Sequence, residues 1–209
     1  DRLDHTIEEV RPSLTPLRTS HPQRKFLDGL LLKNIDAKLY IDNELVREEF
    51  GEISFSDRGI EGAVALRLSR DAVDALIDEK KVKLVIDMKP ALDTKTLDAR
   101  ILSDFAEYIN KDFINSLDAL LPQKMIPIIV GLSGTPARKK VNSITKDERA
   151  RLLSVLKCFS VTIGGFRPIS EAIVTKGGVD VKEVSPKTME SKIVSGLYFA
   201  GEVLDVDAY

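Results

Sequence analysis

The chain has 209 residues, 43% of them hydrophobic and 31% charged, with a formal net charge of −2. That composition is globular, so it excludes a disordered chain and a collagen. No apolar run nears the ~20 residues of a membrane-spanning helix, and near-neutral charge leaves no global footprint of a nucleic-acid binder.

The length fits one large domain or two small ones. The single cysteine, Cys158, allows no internal disulfide, and no apolar signal segment follows Asp1. Together these predict a reducing, cytoplasmic setting with no membrane contact.

The first third reads as strands. Ser13 to Thr19 is extended around Pro16, and Leu30 to Lys33 and Ala37 to Ile41 follow. Ala37, Leu39 and Ile41 alternate with Lys38 and Tyr40, which is the period of a half-buried strand. Asp42-Asn43 is a hairpin turn signal, and Glu44 to Phe50 returns as the second arm. Gly51 is read as a break, with a further strand from Glu52 to Ser56. Hairpins at this spacing predict a small antiparallel barrel.

A helix is predicted after Gly62, carrying Val64, Leu68, Val73, Leu76 and Ile77, then a strand from Lys83 to Met88. Next, Leu97, Ile101, Phe105 and Ile109 recur every four residues as one apolar stripe. Phe113, Leu117 and Leu120 make a second stripe. Pro122 is placed in the first turn of a third helix bearing Met125, Ile129 and Leu132, closed by Gly131 and Gly134. Thr145-Lys146-Asp147-Glu148 has the form of a capping box ahead of Leu152, Leu153 and Leu156. About four helices are thus expected between Asp93 and Cys158. Ser160 to Ile163, Ala172 to Thr175 and Leu197 to Ala200 read as strands, interrupted by Gly164-Gly165 and Gly177-Gly178.

The fold class is therefore α+β: a small antiparallel β-barrel-like domain with an inserted helical bundle and C-terminal strands. The expected divisions are 1–92 (β-rich), 93–158 (helical insert) and 159–209 (return strands).

Charge is uneven along the chain. From Pro136 to Lys192 there are 12 Lys/Arg against 6 Asp/Glu. The segment reads either as a surface facing an anion or as a solvated helix face with ordinary surface lysines. No aromatic residue interleaves with Arg138-Lys139-Lys140, which argues against nucleic acid as a partner. His5 and His21 lack metal-ligand spacing and read as solvated loop histidines. Cys158 reads as a half-buried structural thiol. No metal site is expected, and the chain contains no GxGxxG, Walker loop or nucleophile elbow.

One pattern carries more. A strand from Leu197 to Ala200 runs into Gly201-Glu202, where glycine permits close approach of a ligand and the acid can accept a hydrogen bond from a sugar or ribityl hydroxyl. The run AIVTKGGVDVKEVSPKTMESKIVSGLYFAGEVLDVDAY, with Arg11-Pro12-Ser13-Leu14-Thr15-Pro16-Leu17, Gly29 to Asn34 and Gly51 to Ser56, resembles a bacterial family of NAD(P)/FAD-dependent oxidoreductases, aminoacetone-oxidase-like enzymes among them. The resemblance covers nearly the whole chain.

The resemblance implies that Gly201 and Glu202, followed by Val203, Leu204 and Asp205, face the ribityl–phosphate region of FAD. It implies that Thr175, Gly177 and Gly178 approach the flavin ring side. Lys187 to Lys192 form a signature with a packing and positioning role. Ala208 and Ala63 stand where the family has Gly and Pro. A βαβ unit with its pyrophosphate loop is expected ahead of Asp1, and a flavin-contacting helix after Tyr209. The chain then corresponds to the middle of a flavoenzyme, its partners being the FAD-binding domain of the same protein, a small-molecule substrate and NAD(P)H. By itself it is expected to retain no FAD. The alternative is a non-enzymatic interaction module. No residue presents itself as the catalytic base.

Overall fold

The computed structural model describes residues 3–20 and 27–206; His21 and Ala208 lie outside them. The strands are β1 (Ile7–Leu14), β2 (Leu17–Thr19), β3 (Leu30–Ile41), β4 (Glu44–Ser56), β5 (Gly59–Glu61), β6 (Val82–Asp87), β7 (Phe159–Phe166) and β8 (Val174–Val179). The α-helices are α1 (Ala63–Ile77), α2 (Thr94–Glu107), α3 (Ile126–Ser133) and α4 (Lys146–Lys157). Six strands close an antiparallel barrel in the order β2-β5-β4-β3-β6-β7, and β1 pairs with β8 as a separate ladder. The predicted α+β class is the observed one. Its helical segment leaves the barrel after β6 and returns as β7, which pairs with β6.

The β3–β4 hairpin turns on Asp42 and Asn43, both left-handed at φ 50° and 71°. That pair of conformations fits the twist of the flanking strands, and Asp and Asn tolerate it. The Asp42 carboxylate and N–H also bond the Lys81 backbone, drawing the start of β6 beside β3.

Leu30 to Lys33 and Ala37 to Ile41 are one strand. The register shifts between Leu32 and Ile35, and Asn34 takes φ 53°. Inward positions change there from even (Leu30, Leu32) to odd (Ile35, Ala37, Leu39), so a bulge looks like two elements in sequence. Gly51 does not break β4. A Cβ there would lie 2.8 Å from Val64 Cγ2, so the glycine lets α1 cross the strand closely. Likewise β7 and β8 run through Gly164-Gly165 and Gly177-Gly178.

The helical segment holds three α-helices. Phe113–Ser116 is a 3-10 turn, and buried Leu117 and Leu120 follow it without forming a longer helix. Pro127, not Pro122, occupies the first turn of α3, which Gly134 ends in a left-handed cap. Helix α2 ends at Glu107, leaving Ile109 exposed. The capping box of α4 is present in both directions between Thr145 and Glu148. Barrel and helices share one continuous core, including Leu17, Leu39, Leu84, Leu97, Ile129 and Leu156.

The C-terminal part departs most from expectation. Leu197 to Ala200 is not a strand; Tyr198 makes one isolated bridge to Glu190. Cys158 is exposed rather than half-buried. No helix among the described residues is long and apolar enough to cross a membrane.

Candidate functional site

In the β1–β8 ladder, Ile7 stands opposite Val179, Glu8 opposite Gly178 and Arg11 opposite Lys176. Lys176 pairs with Asp74 of α1, and Arg11 lies 3.8 Å from the same carboxylate, which ties the ladder to the barrel's helix.

Segment 201–205 lies along the free edge of β8. Val179 N–H donates to Val203 O at 2.8 Å and Asp205 N–H to Val179 O at 2.9 Å, with a parallel bridge between Val179 and Leu204. Glu202 Oε2 accepts from the Thr175 hydroxyl at 3.2 Å and from its N–H at 3.4 Å; Asp205 Oδ1 accepts from Gly177 N–H at 3.1 Å. All eight residues singled out for cofactor contact, Thr175, Gly177, Gly178, Gly201, Glu202, Val203, Leu204 and Asp205, thus meet at one edge.

Their geometry divides them. A Cβ on Gly177 would come within 2.2 Å of Glu9 O, and one on Gly178 within 2.3 Å of Val203 O. These glycines let three stretches of backbone lie side by side. Thr175 and Asp205 also spend polar atoms on that edge, and Leu204 is buried with Val179 and Val184. Gly201 differs: it is exposed at φ 78° with open space where a Cβ would point. Glu202 Oε1 has no partner among the described residues. Gly201 and Glu202 are therefore the open positions of this edge, while the other six residues hold them in place.

His5 is buried, not solvated. Its Nε2 lies 2.8 Å from Ser191 Oγ, and its ring meets Phe199 edge-on at 5.2 Å. Ser191 Oγ already accepts from the N–H groups of Ile193 and Val194 at 3.0 and 2.9 Å. Ser191 Oγ thus joins the buried His5 ring to the turn at Ile193 and Val194. Glu190 accepts from Gly196 N–H at 2.8 Å, and Glu183 accepts from Thr6 N–H and hydroxyl at 2.9 and 2.7 Å. Within 187–192, Glu190 and Ser191 thus fasten the C-terminal loops and the N-terminal segment behind the edge.

The central basic excess dissolves in space. Lys139 pairs with Glu148 at 2.8 Å, Lys140 with Asp112 at 2.8 Å, Arg149 with Asp98 at 2.5 Å and Lys157 with Asp87 at 2.5 Å. Most of these acids lie upstream of Pro136. Lys139 and the Thr145 backbone hold the Glu148 carboxyl below its ordinary range. Burial lowers the Lys89 ammonium, which Arg100 reinforces.

Sequence reading missed a cleft of about 480 Å³ at one end of the barrel, lined by Arg18, Arg58 and Arg167. These residues sit on β2, on the β4–β5 turn and just past β7. No local motif joins them; barrel closure does. Among the described residues, no group of three or more His, Cys, Asp or Glu could hold a metal ion.

A family model described as "HI0933-like protein barrel and H2TH domain" matches residues 11–174. The 3-dehydro-bile acid delta(4,6)-reductase of Clostridium scindens is 27% identical over 212 residues, covering 98% of this chain and 50% of that protein. The ribosomal RNA dihydrouridine synthase of Haemophilus influenzae is 30% identical over 200 residues, covering 95% and 46% respectively. Its Escherichia coli counterpart is 28% identical over 202 residues, covering 96% and 47%. The chain spans about half the length of these curated relatives. Two of them are named for ribosomal RNA, which leaves the expectation of no nucleic-acid partner without support.

Proposed function

The chain belongs to the HI0933-like family, as its barrel and H2TH domain, and from that premise we infer that it is the substrate-side portion of a flavin-dependent reductase. The names of the matched relatives denote a reductase and synthases of a dihydro product, so hydrogen addition is the chemistry they have in common. A flavin, when bound, supplies hydride to such a substrate, with NAD(P)H as the reductant.

The reading rests above all on one observation: the edge formed by β8 and 201–205, where Gly201 and Glu202 stay open while Thr175, Gly177, Gly178 and Asp205 fix them. Glu202 Oε1 is suited to accept from a ribityl hydroxyl, and Gly201 admits the ligand closely. These residues fit a contact along the side of FAD. They do not fit a grip on its pyrophosphate, which needs donors from a glycine loop and helix N-terminus. The remainder of a protein as long as the relatives supplies that grip, docking on the ladder where Ile7, Val10, Ile173, Tyr198, Val203 and Val206 are exposed. Barrel and helices then cover the reacting groups and exclude water.

The test uses the intact protein. It is expected to purify with flavin absorbance that bleaches anaerobically with NADH or NADPH. Glu202→Gln is expected to lower flavin retention while circular dichroism stays unchanged. An intact protein that is colourless and takes up no added FAD overturns the reading and favours an interaction module.

A further inference from the structure

We propose that the cleft between Arg18, Arg58 and Arg167 is a phosphate-binding site. It is built from residues other than those of the β8 and 201–205 edge and does not depend on that assignment.

Three guanidinium groups line the cleft against two carboxylates, Asp28 and Asp57. Arg18 is exposed, and its side chain has no hydrogen-bond or ion-pair partner among the described residues. Arg167 is oriented chiefly by neutral acceptors: Nε donates to Arg58 O at 2.6 Å and one terminal nitrogen to Asp57 O at 3.2 Å. Carbonyl oxygens fix the fork without cancelling its charge. The one carboxylate paired with it among the described residues, Glu171, is 3.8 Å away. Glu171 also lies 3.5 Å from Arg58, and Glu61 lies 3.6 Å from the Arg58 Nε. Neither distance is that of a tight charge-assisted pair, so both arginines keep donors to offer.

The rest of the site is preorganised. Ser56 Oγ accepts from Arg58 N–H at 3.1 Å, leaving its hydrogen to donate into the cleft. The turn carrying Arg58 is pressed onto β2 because Gly59 has no side chain; a Cβ would lie 2.3 Å from Leu17 O. Forked arginines with a hydroxyl donor match the geometry of a phosphate oxyanion, and the volume also admits an attached sugar and base. That phosphate belongs either to the phosphodiester backbone of an RNA strand or to a free nucleotide.

The experiment uses the intact protein with three probes: inorganic phosphate, adenosine monophosphate, and a short fluorescein-labelled single-stranded RNA without terminal phosphates. Binding is read by fluorescence anisotropy and by competition. Arg18→Ala is expected to weaken binding at least tenfold, and Lys95→Ala, an exposed lysine on α2, to leave it unchanged. Asp57→Asn is expected to tighten binding, because it removes a lining anion. If RNA binds and neither small probe competes, the source is the backbone, and Arg18→Ala lowers the salt slope by about 0.7. If adenosine monophosphate or phosphate competes, the source is a free phosphate. Equal losses from Arg18→Ala and Lys95→Ala, or no binding of any probe, overturn the proposal.

Discussion

Gly178→Ala is expected to release the 201–205 edge while leaving the barrel intact. The new Cβ would sit 2.3 Å from Val203 O and 2.9 Å from its carbonyl carbon, both backbone atoms that cannot rotate away. The residue would also have to hold φ 124°, which L side chains rarely adopt. The strand can meet both demands only by moving off its neighbour. That forfeits two backbone hydrogen bonds, at about 0.5–1.5 kcal/mol each, and the burial of Leu204, at about 1.5–3 kcal/mol. The barrel shares neither contribution, since Leu204 packs in a small cluster of its own with Val179 and Val184. Native-state hydrogen exchange separates the two. The amides of Val179 and Asp205 should exchange at least about a hundredfold faster, equivalent to ~2.8 kcal/mol. The paired amides of β3 and β4 should keep their protection. Unchanged protection at Val179 and Asp205 would refute the close-approach argument. Equal loss throughout β3 and β4 would show that edge and barrel unfold together.

Asn43→Ala should lower the urea midpoint by about 1–2 kcal/mol of stability, whereas Asn43→Gly should not, because only the former meets the left-handed penalty at φ 71°. Thr145→Ala should cost about 1 kcal/mol through loss of the α4 cap. Glu148, held low by Lys139 and the Thr145 backbone, stabilises the fold above the ordinary glutamate range of ~4.3, and that contribution is lost as pH falls through its lower folded value. Glu148→Gln should flatten the acid limb of a pH–stability curve; an unaltered limb would remove Glu148 from the argument. Ser191→Ala removes the hydroxyl that accepts from two backbone N–H groups and meets His5 Nε2, at a cost of about 2 kcal/mol. Faster limited proteolysis within 183–199 should report it, and wild-type resistance would contradict it.

Elements whose signal is local were legible before any fold was known. The Asp42-Asn43 turn, the Thr145–Glu148 box and the α2 stripe each depend on side chains within a few residues of one another. The glycine-rich run and the Gly201-Glu202 pair were also visible, and they do meet. What strand reading got wrong there was the cause: Gly177 and Gly178 are glycines because backbone lies against them, not because they punctuate a strand. Leu197 to Ala200 has the apolar character of a strand, yet its neighbours use it for loop contacts, such as Phe199 N–H donating to Met189 O at 2.9 Å. His5 looked solvated because Ser191, which its ring meets in the interior, lies 186 positions away.

Charge shows the same division. Sequence alone determined the family resemblance, the α+β class, the Asp42-Asn43 turn and the α4 capping box, since these follow from period, turn chemistry and short-range hydrogen bonding. Barrel closure decided which charges cancel and which converge. It set the basic stretch 136–192 against acids from earlier elements and brought Arg18, Arg58 and Arg167 to one cleft from three separate strands' ends. Electrostatic and steric complementarity act through space over a few ångströms, and chain order carries no record of which distant residues come within that range.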